Sequence, residues 1–155
     1  MAVVSNSSPL IAFAAIGQLS LLPAIFQSIL IPPAVAVEIT PSIPALPSWL
    51  HVEDLKQPLH GLVLQRSLGA GEREALALAI ETRAERILLD DLPARGIARM
   101  LNLSVTGTVG VLLVAKRHGL IPRVRPCLDA LVKESFFIGP GLYDDVLHLA
   151  GEFDD

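Results

Sequence analysis

The stretch from Leu68 to Asp91 reads LGAGEREALALAIETRAERILLDD, and it decides the fold class expected of this chain. Its middle part is rich in Ala and Leu, which favour helix, and it predicts a helix from Glu72 to Arg83. The apolar run from Ile87 to Leu89 follows at once and predicts a short buried strand. A helix followed directly by a buried strand indicates an α/β unit, and the same alternation extends in both directions along the chain.

Outside this stretch, short apolar runs alternate with segments of helical pattern. Strands are predicted at 2–5, 28–31, 49–55, 87–89, 103–105 and 136–138. Helices are predicted at 10–16, 19–26, 34–39, 59–67, 72–83, 93–101, 109–118, 124–134 and 143–150. This alternation is typical of a mostly parallel sheet covered by helices on both faces. We therefore expect a three-layer α/β/α sandwich, built by residues 1–155 as a single domain.

Composition narrows the functional classes. The 155 residues carry a formal net charge of -4. This argues against nucleic-acid binding through overall positive charge, so any contact with nucleic acid must be local. The one cysteine, Cys127, cannot form a disulfide framework, which suits a reducing cytosol. The uncharged start of the chain has no apolar run longer than Leu10 to Ile16, far short of the roughly 20 residues of a spanning helix. We expect a cytoplasmic protein without a membrane partner.

Polar residues follow three of the predicted strands. Asn6 follows the first strand, Asp90 and Asp91 follow the strand of the quoted stretch, and Thr106 follows the next. Ligands of parallel α/β sheets bind beyond the carboxyl ends of the strands, so these residues are expected at one rim. Sequence-adjacent aspartates at the end of a buried strand indicate a site rather than core packing.

Carboxylates on nearby helices can join this rim. They are Glu38, Glu72 and Glu74. Clustered carboxylates repel one another and persist only when protons or cations neutralise them. Hard divalent cations take oxygen ligands, and Mg²⁺ uses few carboxylates beside phosphate oxygens. Such a site indicates phosphoryl chemistry, in which a metal activates water and stabilises charge on a phosphodiester.

Several short motifs of this chain resemble the PIN-domain family. They are Val3-Val4-Ser5-Asn6-Ser7-Ser8-Pro9-Leu10-Ile11, Ile31-Pro32-Pro33 with Glu38, Gly69-Ala70-Gly71-Glu72-Arg73-Glu74-Ala75, Leu88-Leu89-Asp90-Asp91, and Thr106-Gly107-Thr108-Val109-Gly110. The first motif is similar to that of a VapC-like toxin subgroup. The resemblance implies an endoribonuclease that uses acidic residues with Mg²⁺ or Mn²⁺, with single-stranded RNA as substrate. It also implies a toxin paired with a small antitoxin protein, and a homodimer.

The resemblance assigns site residues position by position. The family's acidic positions, expected to be catalytic and to bind metal, fall on Asn6, Glu38, Glu74 and Asp91, and Asp90 is expected to join the metal. Supporting roles beside these ligands are expected for Glu72, Ser7, Thr106 and Thr108. Asn6 departs from the family's aspartate: its amide oxygen can ligate a metal but brings no charge, so metal affinity and activity are expected to drop.

Basic residues near the aspartates are the expected RNA contacts. Arg95 and Arg99 are four residues apart and therefore lie on one face of a helix. Leu92 departs from the family, in which a basic residue commonly follows the aspartates, and Arg95 is the nearest replacement. Ordinary placement of surface charge explains both arginines equally well.

Simpler interpretations exist for the candidate ligands. Glu72 and Glu74 suit the positive end of a helix dipole, and an aspartate pair can cap the next helix. Asn6 beside two serines can form a hydrogen-bonded turn, and Glu38 can be a solvated charge. Thr106 and Thr108 can simply mark a helix start.

Three functional hypotheses follow. The first is the metal-dependent endoribonuclease. The second is a PIN-type module whose catalysis is weakened by Asn6 and which binds RNA or a protein partner. The third is a domain that only assembles through its apolar surface.

Overall fold

The computed structural model describes residues 2–57, 59, 61–64 and 67–153. Within these residues a single sheet has the strand order β3-β2-β1-β4-β5, and every neighbouring pair is parallel. The strands are β1 (Val3–Ser5), β2 (Ile29–Ile31), β3 (Leu50–Val52), β4 (Arg86–Leu88) and β5 (Val105–Thr106). The sheet is thus fully parallel, and the predicted α/β class is confirmed.

Helices connect these strands on both faces of the sheet. The α-helices of the described residues are α1 (Ser7–Ala15), α2 (Leu21–Phe26), α3 (Pro33–Ile39), α4 (Ala70–Glu81), α5 (Leu92–Met100), α6 (Thr108–Arg117), α7 (Arg125–Lys133) and α8 (Pro140–Ala150). Of the helix predicted at 59–67, the structure describes a short 3-10 helix, Gly61–Leu64; residues 60, 65 and 66 lie outside the described residues. In the described part of the chain, no helix has the length and apolar character needed to cross a membrane.

Two hydrophobic cores define the three layers. Successive side chains of a strand point to opposite faces, so Val3 of β1 packs in the core that includes α1 and α6, whereas Val4 packs in the core of α4 and α5. The same alternation places Leu88 in the first core and Ile87 in the second. Because both faces are covered, the central strands β1, β2 and β4 are mainly apolar, as in other parallel sheets.

Strand register brings the strand ends to one rim. Ser5 of β1 pairs with Leu88 of β4, and Leu88 pairs with Thr106 of β5. The residues that follow these three strands therefore leave the sheet side by side. This is the arrangement expected for Asn6, Asp90 and Asp91, whereas Thr106, predicted to follow the last of these strands, is the final residue of β5.

Two local predictions are wrong. The segment 136–138 is not an edge strand but part of the connection between α7 and α8, because the chain turns at Ser135, whose φ is 68°, and leaves Phe137 87 % exposed. The other is the start of the first helix, which was predicted at residue 10: α1 begins at Ser7, with Asn6 in the capping position.

Candidate functional site

Asn6 leaves β1 at the centre of the rim. It is only 3 % exposed, and its backbone N–H donates to the carbonyl of Leu88 at 3.0 Å. Its side chain makes no capping bond to α1, and Oδ1 has no hydrogen-bond partner among the described residues. The alternative of a side-chain hydrogen-bonded turn is therefore wrong. A buried polar atom without a partner costs about 1–3 kcal/mol, so an unpaired amide oxygen here points to a ligand.

Glu38 of α3 reaches the same place. The helical backbone at Gly71 of α4 lies so close that a Cβ on this residue would be 1.9 Å from Glu38 Oε1 and 3.0 Å from Asn6 Oδ1. The carboxylate oxygen and the amide oxygen thus approach one point of the α4 backbone. Two residues about 30 positions apart in sequence are brought together because β1 and α3 both border the carboxyl end of the sheet.

Electrostatic repulsion acts on Glu38. Although its side chain is largely exposed, desolvation of the carboxyl raises its pKa above the usual value, and the negative charges of Glu72 and Glu74 raise it further. A hydrogen bond with Ser7 lowers this pKa but does not reverse the shift. Three glutamates thus share this side of the rim, and a cation would relieve their repulsion.

The two glutamates of α4 differ in their contacts. Glu74 Oε1 accepts a hydrogen bond from the backbone N–H of Ala34 at 3.0 Å, which ties α4 to the first turn of α3. Glu72 turns back toward the start of its own helix, where its Oε2 lies 3.2 Å from the position of a Cβ on Gly69. Both carboxylates thus lie near helix starts, where the dipole favours anions, and Glu74 also positions the helix that carries Glu38.

Asp90 follows β4 and is held by three hydrogen bonds. Its Oδ2 accepts from the hydroxyls of Ser8 at 2.9 Å and Thr108 at 2.7 Å, and its Oδ1 accepts from the backbone N–H of Thr108 at 2.8 Å. Asp90 therefore caps α6 and connects it to α1. The predicted helix start at Thr108 is confirmed, and the capping interpretation of Asp90 holds for α6 rather than for the helix directly following it.

Asp91 occupies the capping position of α5, where its Oδ2 accepts from the backbone N–H of Ala94 at 3.0 Å. The capping interpretation of Asp91 is thus correct. A carboxylate has a second oxygen, which remains chemically able to ligate. Thr106 has a different partner: its hydroxyl accepts a hydrogen bond from Arg86 Nη1 at 2.5 Å.

The two candidate RNA contacts differ in position. Arg95 Nη1 donates to the carbonyl of Leu89 at 3.3 Å. A Cβ on Gly107 would lie 2.6 Å from this nitrogen and 2.9 Å from Asp90 Oδ1, so the guanidinium lies beside the aspartate. Arg99, in the last turn of α5, is exposed. Arg95 therefore lies at the rim and Arg99 further along the helix.

The rim consists of two neighbouring groups joined by α1. Ser7 forms a hydrogen bond with Glu38, which belongs to the glutamate group with Glu72 and Glu74. The next residue, Ser8, donates a hydrogen bond to Asp90, which belongs to the aspartate group with Asp91. In the described part of the chain, no set of three or more His, Cys, Asp and Glu side chains has an arrangement that could hold a metal ion. Neither Ser8 nor Gly71 was predicted from the sequence to be a site residue. The only sequence signal for Gly71 is the pair of glycines in Gly69-Ala70-Gly71.

Two variants of Asp91 separate the effect of its capping hydrogen bond on stability from the effect of its charge. Asn caps helices about as well as Asp, so we expect Asp91→Asn to leave the melting temperature nearly unchanged, while Asp91→Ala loses about 1 kcal/mol of stability. Thermal unfolding of both variants without metal checks this. If Asp91→Asn is as destabilised as Asp91→Ala, the charge of this carboxylate, and not its hydrogen bond, matters for stability.

A fully parallel α/β sheet with oxygen-bearing side chains at its carboxyl edge defines a class of proteins that bind ligands at that edge. Comparison with protein families gives a match over residues 2–152 to the model described as "DUF3368: PIN domain". The chain therefore belongs to the PIN-domain family, and this membership points to nuclease-like function. Comparisons with curated proteins and with solved structures give no match.

Proposed function

We propose that this chain is a Mg²⁺- or Mn²⁺-dependent endoribonuclease of the VapC-like type, acting on single-stranded RNA. The observation that carries the proposal is the buried, unpartnered Oδ1 of Asn6, which faces the same point of the α4 backbone as Glu38 Oε1. Membership of the PIN family supports nuclease chemistry. The repulsion that raises the pKa of Glu38 supports a cation as the missing partner.

The side chains present fit a Mg²⁺-like cation. Asn6 and Glu38 form the centre of the proposed site. The family resemblance also assigns Glu74, Asp91 and Asp90, of which the two aspartates lie in the neighbouring group at the starts of α5 and α6. Mg²⁺ is commonly bound by one or two protein carboxylates, with water and substrate phosphate as the other ligands, so a small protein ligand set is sufficient. A bound Mg²⁺ or Mn²⁺ supplies activation of water and stabilises negative charge developing on the phosphodiester.

Neighbouring residues hold the proposed ligands in place. Ser7 hydrogen-bonds the carboxyl of Glu38, and Glu74 anchors the first turn of the helix that carries it. Asp90 holds the starts of α1 and α6 together through Ser8 and Thr108. Arg95, beside Asp90, is the residue we propose to contact an RNA phosphate, with Arg99 extending the same face of α5.

The test is cleavage of single-stranded RNA with and without Mn²⁺. We expect cleavage by the wild type only with metal, and a loss of about 10- to 100-fold in Glu38→Gln, because that variant keeps the shape but removes a ligand charge. Glu134→Gln, which changes an exposed glutamate after α7, is the matched control and should retain wild-type activity. Metal-independent cleavage, or full activity of Glu38→Gln, would refute the proposal.

The biological setting proposed for this activity is that of a toxin in the cytoplasm, restrained by a small antitoxin protein and acting as a homodimer. The resemblance of the motif from Val3 to Ile11 to the VapC-like subgroup supports it. Co-expression with a short protein encoded by an adjacent reading frame should relieve growth inhibition caused by the wild type, while Glu38→Gln should inhibit growth much less than the wild type. Growth inhibition by Glu38→Gln equal to that by the wild type would count against a nuclease toxin.

A second candidate function is a PIN module that binds RNA or a protein with little catalysis. The observation favouring it is that Asn6 brings no charge, while Glu74, Asp90 and Asp91 are already engaged in hydrogen bonds at helix starts. An inert wild type that binds single-stranded RNA, together with a nuclease-active Asn6→Asp variant, would select this function over the first.

A further inference from the structure

Gly71 lies in the first turn of α4, in helical backbone that any residue can adopt. Its φ is outside the left-handed region, which among the described glycines is occupied by Gly17, Gly119 and Gly151. A glycine inside a helix is unfavourable compared with alanine, because it loses more conformational freedom on folding. Neither backbone geometry nor helix stability therefore explains a glycine at this position.

The space beside Gly71 does explain it. A Cβ at this residue would lie 1.9 Å from Glu38 Oε1, 3.0 Å from Glu38 Cδ and 3.0 Å from Asn6 Oδ1. The end of the Glu38 side chain thus occupies the space that a Cβ on Gly71 would take, and this space lets its carboxylate approach Asn6. The two oxygens could not both stay where they are beside any larger residue.

We propose that Gly71 is a positioning residue of the cation site, which leaves room for the Glu38 carboxylate to stand beside the Asn6 amide oxygen. This inference rests on the proposed function, because it concerns the same site. Gly71 would not touch the cation or the RNA. It would act through Glu38, whose position would be lost with the addition of a single methyl group.

The expected response to Gly71→Ala separates positioning from stability. The atom that a new Cβ meets first is the end of a flexible side chain, so Glu38 can swing away without disturbing the fold. The metal-free variant should therefore keep its melting temperature or gain a few degrees, because alanine favours helix. Mn²⁺ affinity should fall by about 10- to 100-fold, as is usual when the support of a metal ligand is removed.

Gly96→Ala is the matched control. Gly96 also lies within a helix, α5, but no atom lies within 4 Å of the position that its Cβ would take. This variant should gain stability in the same way as Gly71→Ala and keep wild-type Mn²⁺ affinity. Comparison of the two variants isolates the effect of the collision from the effect of helix propensity.

The experiment combines Mn²⁺ titration calorimetry with metal-free melting of the wild type, Gly71→Ala and Gly96→Ala, and a crystal structure of metal-free Gly71→Ala. Weaker Mn²⁺ binding by Gly71→Ala alone, with intact stability and a displaced Glu38 carboxylate, is the expected result. Wild-type affinity in Gly71→Ala, or an unmoved carboxylate, overturns the role of Gly71 and leaves the proposed function standing. A wild type that binds no Mn²⁺ and cleaves no RNA overturns both.

Discussion

Replacing Glu152 with alanine is expected to lower the free energy of unfolding by about 3 kcal/mol, because it removes a buried carboxylate and leaves several of its hydrogen-bond donors unpaired. Glu152 is 2 % exposed and forms a salt bridge with Lys116 at 2.9 Å. Its carboxylate also accepts the backbone N–H groups of Val124 at 2.8 Å and Arg125 at 3.1 Å. One side chain thus joins the end of α6, the start of α7 and the segment after α8.

The contribution of Glu152 should depend on pH in a defined direction. Burial alone raises the pKa of its carboxyl, but the hydrogen bonds from Lys116, Val124 and Arg125 outweigh burial and lower that pKa below the usual value of 4.5. A carboxyl whose pKa is lower in the folded than in the unfolded state stabilises the protein at every pH above its unfolded-state pKa. The difference in stability between wild type and Glu152→Ala should therefore be constant near neutral pH and shrink as the pH falls below about 4.5.

Denaturant unfolding of both proteins over a range of pH values measures this. Asp145→Ala serves as the control, because Asp145 is an exposed carboxylate on α8 and its loss should change stability by less than about 0.5 kcal/mol. If Glu152→Ala is no less stable than Asp145→Ala, the network around Glu152 contributes nothing to folding. A stability difference that grows on acidification would show the opposite pKa shift.

Asn6→Asp is expected to have two effects of opposite sign. Without metal, a carboxylate at a position that is 3 % exposed and shared with Glu38 is desolvated and repelled, so stability should fall by about 1–3 kcal/mol or more. With Mn²⁺, the added charge becomes a ligand and should strengthen binding by at least about tenfold, or 1.4 kcal/mol. The variant should thus melt lower than wild type without metal and gain more from Mn²⁺.

Melting curves of both proteins with a chelator and with increasing Mn²⁺ check this prediction. A ligand at 100 times its dissociation constant stabilises the folded state by about 2.7 kcal/mol, which is large enough to measure reliably. Asn6→Ala is the control, since it removes the oxygen ligand without adding charge and should respond to Mn²⁺ less than the wild type. Equal responses in all three proteins would place the cation away from Asn6.

Sequence patterns predicted the architecture because they depend on local chemistry. Short apolar runs such as Ile87 to Leu89 indicate buried strands when they alternate with helical segments, and this alternation favours a parallel sheet that binds ligands at its carboxyl edge. That rule also predicted that Asn6 and Asp90 would share a rim. The edge strand predicted at 136–138 failed because no local pattern shows whether a neighbouring strand is available to pair with.

The role of each polar side chain required the tertiary structure. Asp90 caps α6, 18 residues away, and Glu152 neutralises Lys116, 36 residues away. Sequence spacing carries no information about such pairs, since they exist only after the elements have packed.

The sequence by itself thus determined the parallel α/β fold and the edge of the sheet at which Asn6 and Asp90 lie. Only the tertiary structure decided that Asn6 Oδ1 is buried without a partner, that Glu38 reaches it across Gly71, and that Asp91 caps a helix. Burial and side-chain approach depend on distances between elements remote in sequence. The physical reason is that hydrophobic periodicity is a property of each segment, whereas desolvation and repulsion are properties of their assembly.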